Sequence, residues 1–242
     1  MILPYKNRKD GKKEQIAFMF DKIAHRYDFL NHFLSAGTDR RWRKKAIRLL
    51  KNTSPEIVLD IATGTADMAI QTCLDMEDVQ VTGIDISEKM LEIGKSKIHK
   101  QMLDSRIKLL KADSENLPFD NDTFDASTVA FGIRNFENLR KGLREIYRVL
   151  KPGSIFVILE FSNPRNFPFK QFYGFYFNRI LPLIANLFSK DNEAYKYLPA
   201  SVNAFPEREE LIRILKEEGF SRCTYKQLTF GIASIYVATK KE

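Results

Sequence analysis

The stretch IVLDIATGTAD, residues 57–67, decides the fold, because it runs from an apolar β-like segment into a turn that contains glycine. The apolar residues 57–59 predict a buried strand, and Gly64 follows where the chain would turn into a helix. Nucleotide-binding folds hold their ligand at such a turn, at the carboxyl end of a parallel strand. A dinucleotide site needs three glycines spaced G-x-G-x-x-G, and only Gly64 is present. The stretch therefore predicts a Rossmann-like turn that binds something other than a pyrophosphate.

The chain beyond this stretch alternates between strand and helix patterns. Strands are predicted at residues 57–62, 79–85, 106–111, 124–131 and 154–161, with helices near 64–75, 88–101 and 137–150. A helix near 207–218 then precedes two β-like runs, 222–230 and 232–239, which can pair as an antiparallel hairpin across Gly231. The pattern predicts an α/β fold: a doubly wound, Rossmann-like sheet that is mostly parallel and has an antiparallel C-terminal hairpin.

Changes in composition divide the chain into four parts. We expect a basic helical lid at 1–51, the ligand-binding core at 52–162, an aromatic-rich insert at 163–205, and a helix and hairpin at 206–242 that complete the core. The formal charge is +8, and residues 1–51 contain 14 Lys and Arg against 5 Asp and Glu. Charged partners should therefore meet the N-terminal part first, although a merely solvated basic helix is the simpler explanation.

The cysteines and the hydropathy pattern indicate the compartment. Cys73 and Cys223 are far apart and lack metal-ligand spacing, so we expect a reduced, cytoplasmic protein without a metal site. The N-terminus lacks the apolar core of a signal peptide, and no uncharged apolar run reaches about 18 residues.

Acidic residues follow three successive strands of the predicted sheet. Asp60 ends the first strand, Asp85 ends the second, and Asp113 follows the third. Asp85 stands 21 residues after Gly64, about the spacing at which an acid meets ribose hydroxyls. Ile86 and Met90 could pack on an adenine face. Each Asp could instead cap the next helix. As an ordered set, however, the three acids fit a ligand with a ribose, an adenine and a cationic amino-acid tail. S-Adenosylmethionine matches this description better than NAD does.

With these residues in place, the sequence resembles the class I methyltransferases and, within them, the ubiquinone/menaquinone C-methyltransferase family. The similarity covers nearly the whole chain and includes FDKIAHRYDFLNHFLSAGTDRRW (20–42), DIATGTAD (60–67), ENLPF (115–119), FGIRNF (131–136), RVLKPG (148–153), LEFSNP (159–164) and YLPASVNAFP (197–206). The first and the fourth of these motifs are specific to the family.

The resemblance implies cofactor contacts at Thr65, Asp85, Asp113 and Ser114. The sequence also departs from the family pattern. Asp39 and Leu30 stand where His and Met are usual, Ala66 and Ser154 replace common glycines, and Ala130 replaces a serine that approaches the cofactor in some members. Ala66 then needs either a negative φ or a strained backbone.

The resemblance implies transfer of a sulfonium methyl group to a ring carbon of a reduced polyprenyl quinone. Such a carbon reacts when the neighbouring hydroxyl is deprotonated, so the enzyme must favour the phenolate. We expect Arg134 to stabilise that charge and Asn135 to orient the ring oxygen. Tyr27 and Asn31 are expected to close over the substrate. The base is open among His25, His32, Glu160 and water, and His99 is expected to be solvated.

Several alternatives remain open from the sequence. The substrate is most simply 2-demethylmenaquinol, with a benzoquinol as the alternative. The apolar segment 169–188 could line a groove for the prenyl tail, rest on a membrane surface, or be a buried helix, and the basic residues 39–51 could attract anionic lipid peripherally. A homo-oligomer is compatible with the sequence. An RNA methyltransferase and a non-catalytic scaffold are the rival functions, and we expect no nucleic acid partner because FGIRN stands where base-amine methyltransferases commonly have Asn/Asp-Pro-Pro-aromatic.

Overall fold

The structure, a computed structural model, describes residues 2–5, 7–35, 37–175, 179 and 192–242. Its strands are β1 (Ile57–Ile61), β2 (Gln80–Asp85), β3 (Ile107–Lys111), β4 (Phe124–Ala130), β5 (Leu150–Phe161), β6 (Ser221–Leu228) and β7 (Ala233–Thr239). They form one sheet in the order β3-β2-β1-β4-β5-β7-β6. β7 runs antiparallel to both β5 and β6, and the other pairs are parallel. The predicted fold class is confirmed.

The strand order reverses direction at β1, which lies between β2 and β4. Asp60 is in register with Gly83 of β2 and Thr128 of β4. Ligands of doubly wound sheets bind in the crevice outside the carboxyl ends of the strands at such a switch point. The turn that follows β1 therefore lies at the expected binding position.

The helices cover both faces of this sheet. They are α1 (Lys12–Leu34), α2 (Thr38–Lys51), α3 (Asp67–Asp75), α4 (Glu88–Lys100), α5 (Leu139–Val149), α6 (Phe169–Phe175), α7 (Asn192–Ala204) and α8 (Glu209–Glu217). Residues of α2, α3 and α4 pack in the core on one face, and residues of α5 and α8 pack in the core on the other. Val58 joins the first core, whereas Leu59 and Ile61 join the second. A strand covered on both faces is apolar throughout, as in residues 57–59.

Several boundaries differ from the sequence prediction for local reasons. Helix α3 begins at Asp67 rather than at residue 64, because residues 62–66 form a turn with left-handed backbone. Strand β5 begins at Leu150 rather than at the predicted residue 154. Leu150 pairs with Phe124 before a register shift, so residues 150–153 form an irregular first part of the strand.

The N-terminal part and the aromatic-rich insert are described in part, and α2 of the N-terminal part packs into the core. The predicted apolar segment 169–188 falls largely outside the described residues, which include only 169–175 and 179 of it. In α2, the side chains of Trp42, Ala46, Ile47 and Leu50 are buried.

Within the described ranges, the structure contains no helix with the length and apolarity that crossing a membrane requires.

Candidate active site

The turn between β1 and α3 has a left-handed backbone at three alternate positions. The φ angles are +51° at Ala62, +57° at Gly64 and +64° at Ala66. Only glycine adopts this region without steric cost, and other residues lose about 1–2 kcal/mol there. The question that the sequence left open at Ala66 is thereby answered: the position is strained, and its methyl group is fully buried.

Asp60 lies beneath this turn with both carboxylate oxygens already hydrogen-bonded. Oδ2 accepts from the Thr63 hydroxyl at 2.6 Å and Oδ1 accepts from the Thr128 hydroxyl at 2.7 Å. Only 1% of the residue is exposed. Burial raises the pKa of Asp60 to about 6, although the two hydroxyls oppose the shift. A carboxylate has about four lone-pair sites, so it retains capacity for a cationic group above it.

Asp85 holds the turn from the end of β2. Its Oδ2 accepts from the backbone N–H of Gly64 at 2.8 Å, and its Oδ1 accepts from that of Ser87 at 2.8 Å. Burial raises the pKa of Asp85 to about 6 as well, against the effect of these N–H donors. The helix cap of α4 is Ser87, whose hydroxyl accepts from the N–H of Met90, so Asp85 does not take the capping role that the sequence left open and instead supports the cap from outside the helix.

A main pocket opens beside these acids, with an empty volume of about 660 Å³ including its mouth. Eight of the predicted catalytic and cofactor-binding residues line it: Tyr27, Gly64, Asp85, Ile86, Met90, Asp113, Ser114 and Asn135. The apolar side chains of Ile86 and Met90 share the pocket with the carboxylates. The structure thus brings together residues from five separate segments of the chain.

Asp60 and Thr65 line an adjoining cavity of about 330 Å³ rather than the main pocket. Tyr27, Ala62, Gly64 and Ala130 line both, so the two spaces share a wall at the turn. The Thr65 hydroxyl donates to Asp28 of α1 at 2.5 Å. The acids therefore form a row, with Asp60 at one end and Asp113 at the other.

Asp113 is engaged by residues that the sequence did not single out. Lys13 Nζ lies 2.7 Å from Asp113 Oδ2 and 2.9 Å from Glu115 Oε2. Lys13 and Glu115 both line the main pocket. Glu115 belongs to the ENLPF motif, which could have drawn attention to it, whereas Lys13 is one of many N-terminal lysines and nothing in the sequence distinguishes it.

Helix α1 lies over the main pocket. Lys13, Ile16, Phe20 and Tyr27 line the pocket from this helix, and their spacings of 3, 4 and 7 residues place them on one helical face. Ser87 also donates to Asp21 of α1 at 2.6 Å. Tyr27 lines the pocket, and its closure over a substrate stays a prediction. The side chain of its predicted companion Asn31 is outside the described part of the chain.

A cluster of charges fastens α1 to the turn. Lys97 of α4 lies 2.8 Å from Asp28 Oδ2, and it also contacts Asp67 and the Thr65 hydroxyl. Arg43 of α2 pairs with Asp39 at 2.5 Å and lies 3.5 Å from Asp67. Asp39, which stands where the family usually has His, is thus part of a buried ion pair.

Arg134 and Asn135, neighbours in sequence, line different spaces. Asn135 lines the main pocket, whereas Arg134 lines a third cavity together with residues of α7. Arg134 pairs with Glu160 at 2.9 Å, and these side chains are 7% and 1% exposed. Arg134, which the sequence predicts to stabilise the substrate charge, is thus held in a buried ion pair rather than in a surface one. No group in the described part of the chain accepts from its Nε.

Among the candidate bases whose side chains are described, none lines the main pocket. His25 and His99 are exposed, and His99 lies 3.3 Å from Asp104 at the surface. Glu160 is committed to Arg134, and burial raises the pKa of its carboxyl although Arg134 opposes this shift. The side chain of His32 is outside the described residues. These positions do not decide between His32 and water, so the identity of the base stays open.

The arrangement suits an adenosine-type ligand with a positive charge. Carboxylates accept from hydroxyls and amines, the apolar residues Ile86 and Met90 suit a flat ring, and Asp60 suits a cation. The two segments that line the pocket at Gly132 and Ala62 are packed closely together. A Cβ atom added at Gly132 would lie only 2.4 Å from the Cβ of Ala62, so this position has no space for a side chain. These hydrogen-bond acceptors and apolar surfaces fit the cofactor that the sequence predicts.

Comparison with family models matches nearly the whole chain to one family. Residues 8–240 match the model of the ubiE/COQ5 methyltransferase family. A demethylmenaquinone methyltransferase from Bacteroides fragilis is 49% identical over 240 residues, which cover 99% of this chain and 97% of that protein. The corresponding enzyme from Porphyromonas gingivalis is 46% identical, covering 99% and 98%. A ubiquinone/menaquinone biosynthesis C-methyltransferase from Geotalea daltonii is 47% identical, covering 95% and 97%.

Solved structures share the fold at low sequence identity. The [4+2]-cyclase SpnF has a TM-score of 0.68 at 17% identity, over 96% of this chain and 98% of its own. A SAM-dependent methyltransferase from Thermotoga maritima has a TM-score of 0.64 at 20% identity, over 93% and 100%. Since a cyclase and a methyltransferase carry this fold alike, it does not by itself identify a reaction.

Proposed function

This chain belongs to the ubiE/COQ5 methyltransferase family, and from that premise we propose that it methylates a ring carbon of 2-demethylmenaquinol to give menaquinol. The methyl donor is S-adenosylmethionine, which supplies an electrophilic methyl group on a sulfonium sulfur when bound. The observation that carries the proposal is the row of Asp60, Asp85 and Asp113 along one crevice, in a chain nearly half identical to demethylmenaquinone methyltransferases.

Each part of the cofactor has a complementary group in the proposed site. Asp85 would accept from the ribose hydroxyls, and Ile86 and Met90 would pack against the adenine. Asp113 and Ser114 would bind the exocyclic amine. Asp60, Gly64 and Thr65 would hold the amino-acid end. These assignments rest on carboxylate positions in the main pocket and the adjoining cavity.

The protein's own contribution to the reaction is orientation and charge stabilisation. Helix α1 would exclude water by covering the pocket with Phe20 and Tyr27. Asn135 would bind the ring oxygen of the substrate, and the positive charge of Arg134 would favour the phenolate from the neighbouring cavity. A phenolate delocalises negative charge onto the ring carbon, which is the form that accepts a methyl group. A water molecule would take the hydroxyl proton, since the described carboxylates nearby are engaged in hydrogen bonds.

Turnover with two matched substrates tests the proposal. Purified protein is incubated with methyl-labelled S-adenosylmethionine and either a reduced demethylmenaquinone or a reduced demethyl-benzoquinone with the same prenyl tail. We expect label in the naphthoquinol. Label in the benzoquinol alone would support the alternative ring, and the absence of label in both, with the cofactor still bound, would leave a non-catalytic scaffold.

A second part of the proposal concerns the location of the reaction. The exposed face of α2 carries six cations, Arg40, Arg41, Lys44, Lys45, Arg48 and Lys51, while its opposite face is buried. Phe167 and Phe230, on other segments, are 81% and 66% exposed. Basic helix faces attract anionic lipid headgroups, and exposed aromatic rings favour the interface. We therefore propose peripheral contact with an anionic membrane, where a polyprenyl substrate would reside.

A further inference from the structure

Asn135 is joined to a distant helix by a hydrogen bond. It lies in a short 3₁₀ turn, Ile133–Asn135, that follows β4, and it is one of the residues that line the main pocket. Its Oδ1 accepts from the hydroxyl of Tyr197 at 3.2 Å. Tyr197 belongs to α7 and is the first residue of the YLPASVNAFP motif. The residue that faces the proposed substrate is therefore held by a group from the insert.

The direction of this hydrogen bond follows from the burial of Tyr197. The residue is 4% exposed, and burial above all raises the pKa of Tyr197 to about 12, so the hydroxyl keeps its proton. Within the described ranges, Asn135 Oδ1 is the acceptor recorded for that proton. A buried O–H group without an acceptor would cost about 1–3 kcal/mol. The amide therefore directs its oxygen to Tyr197 and retains its NH₂ group for the pocket.

Tyr197 is also held firmly in place. It packs in a small apolar cluster with Ile16 and Met19 of α1. The backbone of Asn135 is fixed in turn, because its N–H donates to the carbonyl of Gly132 at 3.0 Å. A movement of Tyr197 would disturb the apolar cluster, and a movement of Asn135 would disturb the 3₁₀ turn. The hydrogen bond between them is therefore held in one geometry.

We propose that Tyr197 is a positioning residue that makes Asn135 a donor-only group toward the ring oxygen of the substrate. An NH₂ group binds a phenolate, which offers only lone pairs, more strongly than it binds a hydroxyl, which also carries a proton. The site thereby lowers the pKa of the bound hydroxyl and stabilises the form that accepts the methyl group. This inference rests on the proposed function, because it needs a substrate with a ring hydroxyl.

The first test replaces the Tyr197 hydroxyl while keeping its ring. In Tyr197→Phe we expect kcat with demethylmenaquinol to fall about tenfold, with the KM for S-adenosylmethionine unchanged. The acidic limb of the kcat–pH profile should move to higher pH, since the bound hydroxyl becomes harder to deprotonate. Tyr225→Phe is the matched control: its hydroxyl donates to Glu209 at the surface, and both kcat and the profile should stay as in the wild type.

The second test asks whether Tyr197 acts through Asn135. In an Asn135→Ala background, Tyr197→Phe should cause no further loss of kcat, because the positioned group is gone. Additive losses would overturn the inference. So would a Tyr197→Phe enzyme with the kcat and pH profile of the wild type.

Further measurements distinguish a failure of the inference from a folding defect and from a failure of the proposed function. Thermal unfolding is measured for every variant. If Tyr197→Phe does not fold, Asn135→Asp carries the test: it keeps an acceptor for Tyr197 but removes the NH₂ group, and we expect kcat to fall about a hundredfold with cofactor binding retained. Full activity of Asn135→Asp would overturn the inference. Absence of turnover by the wild type would overturn the proposed function itself.

Discussion

At the scale of single residues, the buried carboxylate of Asp60 is proposed to bind the cofactor, and its burial lowers the stability of the folded protein above about pH 6. Its pKa is about 6 in the folded protein against an ordinary value of 3.8, because burial disfavours its charge. Between these values the folded state binds more protons than the unfolded state, so stability falls as the pH rises through this window. The shift corresponds to about 3 kcal/mol at pH 8 without ligand. Asp85 has a pKa shifted in the same direction and adds to the same pH dependence.

We therefore predict that Asp60→Asn stabilises the cofactor-free protein. At pH 8 its free energy of unfolding in urea should exceed that of the wild type by about 1 to 3 kcal/mol, and the difference should vanish near pH 4. Cofactor binding, followed by calorimetry, should weaken. Asp125→Asn is the control of opposite sign, because Lys151 and the N–H groups of residues 56 and 57 lower the pKa of Asp125 against the effect of its burial. A loss of stability in Asp60→Asn at pH 8 would contradict this account.

The buried pair of Arg134 and Glu160 gives a second prediction. Removing one partner of a buried ion pair leaves an uncompensated charge and costs about 3–5 kcal/mol. Arg134→Ala should therefore lower the free energy of unfolding by about this amount. Glu160→Ala should also destabilise, and the double variant should lose clearly less than the sum of the two.

Activity assays at a temperature where Arg134→Ala is folded separate stability from chemistry. We expect loss of product with retained cofactor binding. Additive stability changes in the double-mutant cycle would contradict the ion pair, and unchanged activity would remove Arg134 from the mechanism.

At the scale of elements, α1 is held closed by a few polar contacts. Lys97 lies among Asp28, Asp67 and the Thr65 hydroxyl, and so links α1 to the turn that lies beside the cofactor site. In Lys97→Met the two carboxylates would face each other without a cation between them. Like charges in such positions repel, which favours an open α1.

We predict faster amide hydrogen exchange for residues 20–28 in Lys97→Met, with exchange of the central strands unchanged. The KM for S-adenosylmethionine should rise, because the closed helix completes the pocket. Lys95→Met, at an exposed position of the same helix α4, is the control and should match the wild type. Unchanged exchange in α1 would show that Lys97 is not needed to hold the helix, which also has the apolar contacts of Ile16 and Met19 and the hydrogen bond from Ser87 to Asp21.

At the scale of the whole molecule, the charge distribution predicts an orientation on lipid. In a variant with Arg41, Lys44, Lys45 and Arg48 changed to Gln, binding to vesicles that contain phosphatidylserine should fall by about tenfold or more, since each basic residue contributes on the order of 1 kcal/mol. The control changes Lys95, Lys100, Lys108 and Lys226 to Gln, which removes the same charge from other exposed positions. Equal losses in both variants would mean that net charge, and not the α2 face, determines binding. Activity on a short-tailed, water-dispersed quinol should stay unchanged in both.

Much of the site could be predicted because it depends on local rules. The end of each parallel strand lies at the same edge of the sheet, so Asp60, Asp85 and Asp113 could be placed near one crevice from their spacing alone. Asn135 followed from the same rule, applied to β4. The position of Arg134 could not be predicted in this way. Arg134 is next to Asn135 in sequence but lines a different cavity, and its ion-pair partner Glu160 stands 26 residues later in the chain.

The sequence alone determined the fold class, the family and the row of acids, because strand periodicity, turn residues and strand ends are properties of neighbouring residues. Only the tertiary structure decided which groups meet across the chain: Lys13 with Asp113, Lys97 with Asp28, and Tyr197 with Asn135. It also decided the positive φ of Ala66, which the packing of the turn imposes against the preference of the residue. Contacts between distant segments depend on the packing of whole elements, and no local pattern encodes them.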